Sequence, residues 1–82
     1  MNRQQIIKHY PDLLFADGFD DAIIGVSRTF NKISVCYDTI RVLHILMTRE
    51  EMSEIDALEH FEYNIVGAYV GDYTPTFVYP EF

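Results

Sequence analysis

AIIGVSRTFNKISVCY, residues 22–37, separates an α+β chain from an all-helical one. Ala22 to Arg28 is rich in branched residues that suit a pleated surface. Phe30-Asn31-Lys32 reads as a turn. Ile33 to Tyr37 alternates, with Ile33, Val35 and Tyr37 on one face and Ser34 and Cys36 on the other. Two such runs about a turn predict a β-hairpin over about 22–37, with Gly25 marking a bulge. A rival reading makes residues 19–28 helical, because Phe19, Ile23 and Val26 also fit the helical period. The strand is favoured by the β-branched content.

Outward from the hairpin the chain reads as helices and turns. Residues 2–9 form a short helix with Ile6 and Ile7 facing inward, stopped by Pro11. DLLFADGFDD, residues 12–21, is a loop around Asp17-Gly18. Asp38 and Thr39 can cap a helix to about Met47, whose stripe is Ile40, Leu43 and Met47, with Val42 and Leu46 beside it and Arg41 and His44 on the other side. Ser53 with Asp56 is close to a capping box. From there Ile55, Leu58, Phe61, Ile65 and Ala68 step by three or four. Thr48 with Glu51 offers an earlier start. Gly67 and Gly71 can end this helix, and residues 65–70 could equally be extended. Tyr73-Thr74-Pro75 is a turn, and Thr76 to Tyr79 a short strand whose flanking prolines suit a sheet edge. The expected fold is one α+β domain over 1–82. A small antiparallel sheet, made of the hairpin and the C-terminal strand, packs against two or three helices.

Charge is unevenly placed along the 82 residues. The first 49 hold all six basic side chains against five acidic ones, about +1. Beyond Arg49 there is no lysine or arginine, while Glu50, Glu51, Glu54, Asp56, Glu59, Glu62, Asp72 and Glu81 contribute −8, which completes the net −7. Such an asymmetry makes an external field that selects partners. It argues against nucleic acid and anionic membranes, since phosphate contacts need lysine and arginine. Half of the residues are apolar, and the six Tyr and six Phe suit a packed domain. Cys36 is alone, which fits a reducing compartment. No signal-peptide pattern opens the chain, and no apolar run approaches the ~20 residues that span a bilayer. A cytoplasmic protein is expected.

The stretch from Met52 to Val78, MSEIDALEHFEYNIVGAYVGDYTPTFV, resembles the C-terminal signature of small proteins encoded by bacteriophages and prophages. In that signature a Met-Ser helix start leads into an acidic "EYFEFN" run and a "GAYVG…TP" end. Glu59, Phe61, Glu62, Asn64, Gly67, Ala68, Tyr69, Val70, Gly71, Thr74 and Pro75 match it. His60 departs from it, standing where an aromatic residue belongs. About half of the chain is covered. The resemblance implies a phage accessory protein at work in the host cytoplasm, and it carries no chemistry.

No group of residues makes a catalytic motif. Glu59 and Glu62 lie one helical turn apart with His60 between them in sequence, but they should point away from the core stripe, where a solvated acidic face is the simpler reading. His9, His44 and His60 lack metal-ligand spacing. The DGFDD run lacks the ligand pattern of a calcium loop. Cys36 sits mid-strand, where cysteine usually packs. Gly67 and Gly71 frame Tyr69 in a turn or a close approach. The aromatic tail of Tyr69, Tyr73, Phe77, Tyr79 and Phe82 supplies core and, where exposed, anchors for a partner.

The expected function is therefore binding, without enzymatic activity, cofactor or metal. The partner would be a host protein with a basic surface, such as a defence component or a nucleic-acid-handling enzyme. Glu54, Glu59, Glu62, Tyr69 and Tyr73 are the expected contact residues. The alternative is a homo-oligomeric structural or accessory protein with no host target, for instance a homodimer. A small enzyme is a third reading, which a cleft holding His60, Glu62 and Tyr69 would favour.

Overall fold

A computed structural model describes residues 2–68, 71 and 73–79. The chain opens with helix α1, Arg3–His9. The Asn2 side chain accepts the Gln5 N–H at 2.9 Å and the Gln5 side chain accepts the Asn2 N–H at 3.0 Å, a full capping box. Ile6 is buried but Ile7 is exposed, since neighbours on a helix lie about 100° apart and one narrow face meets the core. The following loop turns at Gly18, whose φ of +91° favours glycine. A short 3₁₀ turn, Asp20–Ala22, delivers the chain to the sheet.

Strands β1, Ile23–Thr29, and β2, Lys32–Asp38, form the expected antiparallel hairpin. Ile23 pairs with Tyr37 and Gly25 with Cys36, so Ile24 is the extra residue of a bulge beside Gly25. The helical reading of 19–28 fails because the 3₁₀ turn ends at Ala22 and the branched residues enter the ladder. Thr29 pairs with Lys32, leaving Phe30 and Asn31 to turn the hairpin.

Helix α2, Thr39–Arg49, begins at Asp38, whose carboxylate accepts the Arg41 N–H at 3.2 Å. Asp38→Ala should cost about 1 kcal/mol of stability, the usual worth of such a cap, and a thermal melt reads it as a shift of roughly 4 to 8 °C. Helix α3, Glu54–His60, starts at Ser53, whose hydroxyl accepts the Asp56 N–H at 3.1 Å. The earlier start at Thr48 is excluded, since Thr48 belongs to α2 and its hydroxyl donates back to the His44 carbonyl at 2.9 Å. α3 continues into a wider π turn, Phe61–Ile65, in which the Val66 N–H reaches back five residues to Phe61 O. A 3₁₀ turn, Val66–Ala68, follows, so 65–68 are helical and not extended. Residues 69 and 70 lie outside the described set.

Strand β3, Thr76–Val78, lies at the sheet edge beside β2, as its flanking prolines suggest. It runs parallel to β2, pairing Cys36 with Thr76, Tyr37 with Phe77 and Asp38 with Val78. The sheet is thus mixed, in the order β1-β2-β3, where the sequence suggested wholly antiparallel pairing. The cause is the connection. α2 and α3 form a long crossover that carries the chain back before β3 starts, and only such a crossover permits parallel neighbours.

Helices cover one face of the sheet. Val35 and Tyr37 are buried there with Ile6, Leu13, Ala16, Phe19, Ala22, Val42, Leu46, Ala57, Phe61 and Ile65. Phe77 stacks on Tyr37, with ring centroids 5.5 Å apart, and meets Phe61 edge-on at 5.2 Å. The other face carries a hydroxyl row across all three strands, Ser27 to Ser34 at 3.0 Å and Ser34 to Thr76 at 2.6 Å. Cys36 sits on this face, half-buried between Gly25 and Thr76 and not among core side chains. Burial pushes its thiol pKa up, away from reactive thiolate.

Candidate protein-binding face

The helical periods of α2 and α3 are as the sequence predicts, and Leu43, Phe61 and Ile65 face inward as expected, but other members of the expected stripes do not. In α2 the inward residues are Thr39, Val42 and Leu46, while Ile40 and Met47 are exposed. In α3 and the π turn they are Ala57, Phe61 and Ile65, while Ile55 and Leu58 face solvent. The small Ala57 turns inward and is fully buried. Four-residue steps on an α-helix drift by about 40° each. The wider turn at Phe61–Ile65 changes the second step, and Phe61 and Ile65 are both buried.

This phasing sends an apolar stripe outward. Ile55, Leu58, Glu59 and Glu62 are spaced i, i+3, i+4 and i+7 and share one face. Tyr63 and Val66 continue it. Ile55 is 71 % exposed, Leu58 45 % and Tyr63 79 %. Single exposed apolar residues are ordinary, and here several lie among charges on the outer side of one helix. Glu54 flanks it, one turn before Leu58. The sequence reading missed Tyr63 and consigned Ile55 and Leu58 to the core. The competing i+4 series from Ala57 to Phe61 to Ile65 was the signal that pointed the other way.

The carboxylates on this face are not neutralised by the front half. Arg3 pairs with Asp17 at 3.3 Å and Asp20 at 3.1 Å and lies over the Phe15 ring. Its hydrogen bond with Asp20, against a smaller opposing effect of burial, raises the guanidinium pKa further. Arg41 meets Asp38 at 3.8 Å. Arg49 sits over Phe19, donates to the Gly18 carbonyl and meets Glu50 at 3.2 Å. Glu51, Glu54, Asp56, Glu59 and Glu62 are all exposed, with no ion pair among the described residues. The field read from the sequence therefore projects from the α3 side.

Other expected groupings are not assembled. The half-buried His60 meets the Asn64 side chain through Nδ1 at 3.3 Å. A cleft of about 240 Å³ opens between the end of α1 and the hairpin, lined by His9, Tyr10, Asn31, Ile33 and Tyr73 among others. Tyr73 thus lines a cleft to which Glu54, Glu59, Glu62 and the rest of α3 contribute nothing. Tyr69 lies outside the described residues. Among the described residues no three His, Cys, Asp or Glu side chains converge as a metal site, and no helix is long and apolar enough to cross a membrane.

No protein-family model matches the chain, and no curated protein or solved structure matches it either.

Proposed function

We propose that the chain works by binding a protein that presents a basic surface, with the α3 face as its contact region. The phage-like signature over 52–78 makes a host protein the natural target, in the manner of an accessory factor that occupies a defence component or a nucleic-acid-handling enzyme. One observation carries the reading: Ile55, Leu58 and Tyr63 stand exposed on the outer side of the helix among carboxylates that make no ion pair among the described residues. Apolar anchors supply affinity at the centre of a contact, and the surrounding charge supplies steering and selects the partner. Tyr69 remains a candidate contact residue. Tyr73 would act only if the partner also reached the cleft near α1.

A pull-down from bacterial lysate tests this. Glu54→Lys, Glu59→Lys and Glu62→Lys combined should abolish capture of the band held by the wild type, with the contrast largest at low salt, where screening is weakest. Ile55→Ser with Leu58→Ser should also release it, at every salt concentration. Lysine at Asp12 and Asp21, exposed acids off this helix, should leave capture intact. Capture that survives the triple reversal removes the proposal.

A further inference from the structure

Phe30 takes no part in the core formed by the described residues. It is 94 % exposed at the hairpin tip, and its φ is +55°, a left-handed conformation in which glycine or asparagine is the economical choice. Neither packing nor turn geometry accounts for a phenylalanine there. Its neighbours on the hairpin are basic: Arg28, exposed near the end of β1, and Lys32, where β2 begins. The tip is therefore an aromatic knob flanked by positive charge. The α3 face has the opposite composition, an apolar stripe of Ile55, Leu58 and Tyr63 flanked by Glu59 and Glu62.

We infer that the hairpin tip of one copy docks on the α3 face of a second copy, Phe30 lying against Ile55, Leu58 and Tyr63 and Arg28 against Glu59 and Glu62. The two surfaces complement each other in sign and in apolar content, and Phe30, Arg28, Ile55, Leu58 and Tyr63 are all exposed. A two-fold arrangement makes the contact twice, each copy giving its tip and receiving the other's, which closes the assembly as a dimer. At ~0.15 M ionic strength the mutual repulsion of two chains of charge −7 is screened beyond about 8 Å, while pairing at contact distance survives. The inference shares with the proposed function the premise that α3 is a docking face, but it needs no host target.

The test is the mass of the purified chain in solution at ~0.15 M salt, by light scattering and sedimentation over a wide concentration series. The wild type should rise from the single-chain 9.6 kDa toward twice that value as concentration increases. Arg28→Glu alone should stay at one chain, because the altered tip meets an acidic face. Glu59→Lys with Glu62→Lys should also stay at one chain, because the basic tip meets a basic face. An equimolar mixture of these two variants should recover the two-chain mass, since each tip then finds an opposite face. Phe30→Gly keeps the left-handed turn, so it should melt no lower than the wild type and yet fail to self-associate. A wild type that remains single throughout, variants that associate as the wild type does, or a mixture that fails to recover would each overturn the inference. Arg28→Glu leaves α3 intact and should still capture the lysate protein, so failure of self-association and failure of host binding are told apart.

Discussion

Phe61→Ala is expected to cost about 3 to 5 kcal/mol, the range for deleting a buried phenylalanine and leaving its cavity. A domain of this length has a total stability of roughly 4 to 12 kcal/mol, so the loss is a large part of it. Phe61 is fully buried, and it offers its face or edge to Phe77 at 5.2 Å. Phe77 holds β3 to the core, and β3 contributes only three residues to the ladder. Truncating Phe61 should therefore loosen β3 before the hairpin. Urea unfolding measures the global loss, and amide exchange should show Phe77 and Val78 deprotected ahead of Val26 and Val35. Leu58→Ala is the matched control. Its side chain is half exposed on the outer stripe, and the change should stay within about 0.5 kcal/mol. Comparable costs at Leu58 and Phe61 would mean that the helix is phased as its sequence first suggests and that the α3 face does not exist.

That contrast locates the boundary of what the residues make legible. Local chemistry acts through near neighbours and could be read directly. Asp38 and Ser53 cap the helices that follow them because a short side-chain oxygen reaches an N–H three residues on. The branched residues of 23–29 and the alternation of 33–37 specify strands wherever the chain lies. The phase of α2 and α3 was not legible in this way. A sequence period says that a stripe exists, and the neighbours decide which stripe turns inward. With Ile55, Leu58, Phe61 and Ile65 all apolar, two phases were available. The inward one includes Ala57, and the π turn then changes the phase once more at Phe61. Nothing in FEYNI announces that extra residue per turn. The direction of β3 was hidden for a related reason, because three residues carry too little alternation to fix a register and the crossover sets it instead.

The candidate face follows from the same division. Its charges were plain in the sequence, since a half-chain with eight acids and no bases cannot neutralise itself. Its anchors were not, because Ile55 and Leu58 look like core until the helix is phased. Phe30 was passed over as a turn residue, and only its exposure and positive φ set it apart. The arginines complete the picture. Arg3, Arg41 and Arg49, half of the six basic side chains, fold back on acids and carbonyls of 17–50.

Tyr37→Phe removes one oxygen from the centre of the core and should cost about 1 to 3 kcal/mol, more than most core changes of one atom. The Tyr37 hydroxyl accepts the Ala16 N–H at 2.8 Å, and both residues are buried. Phenylalanine keeps the ring and its stacking on Phe77, so packing is almost unchanged. The acceptor is lost, and the Ala16 N–H is left unpaired at a buried position. The penalty is the desolvation of that amide, which exceeds the net worth of an average hydrogen bond. Ala16 lies in the loop from Leu13 to Phe19, and this bond ties that loop to the strand. The same loop holds Asp17, which with Asp20 just beyond it receives Arg3. Loosening it should free Arg3 and leave the acids of α3 where they are. The variant is therefore expected to melt lower and to lose amide protection at Ala16 and Phe19, while still capturing its partner through Glu54, Glu59 and Glu62. Unchanged protection at Ala16 would show that the bond between loop and strand is not what holds this end of the molecule together.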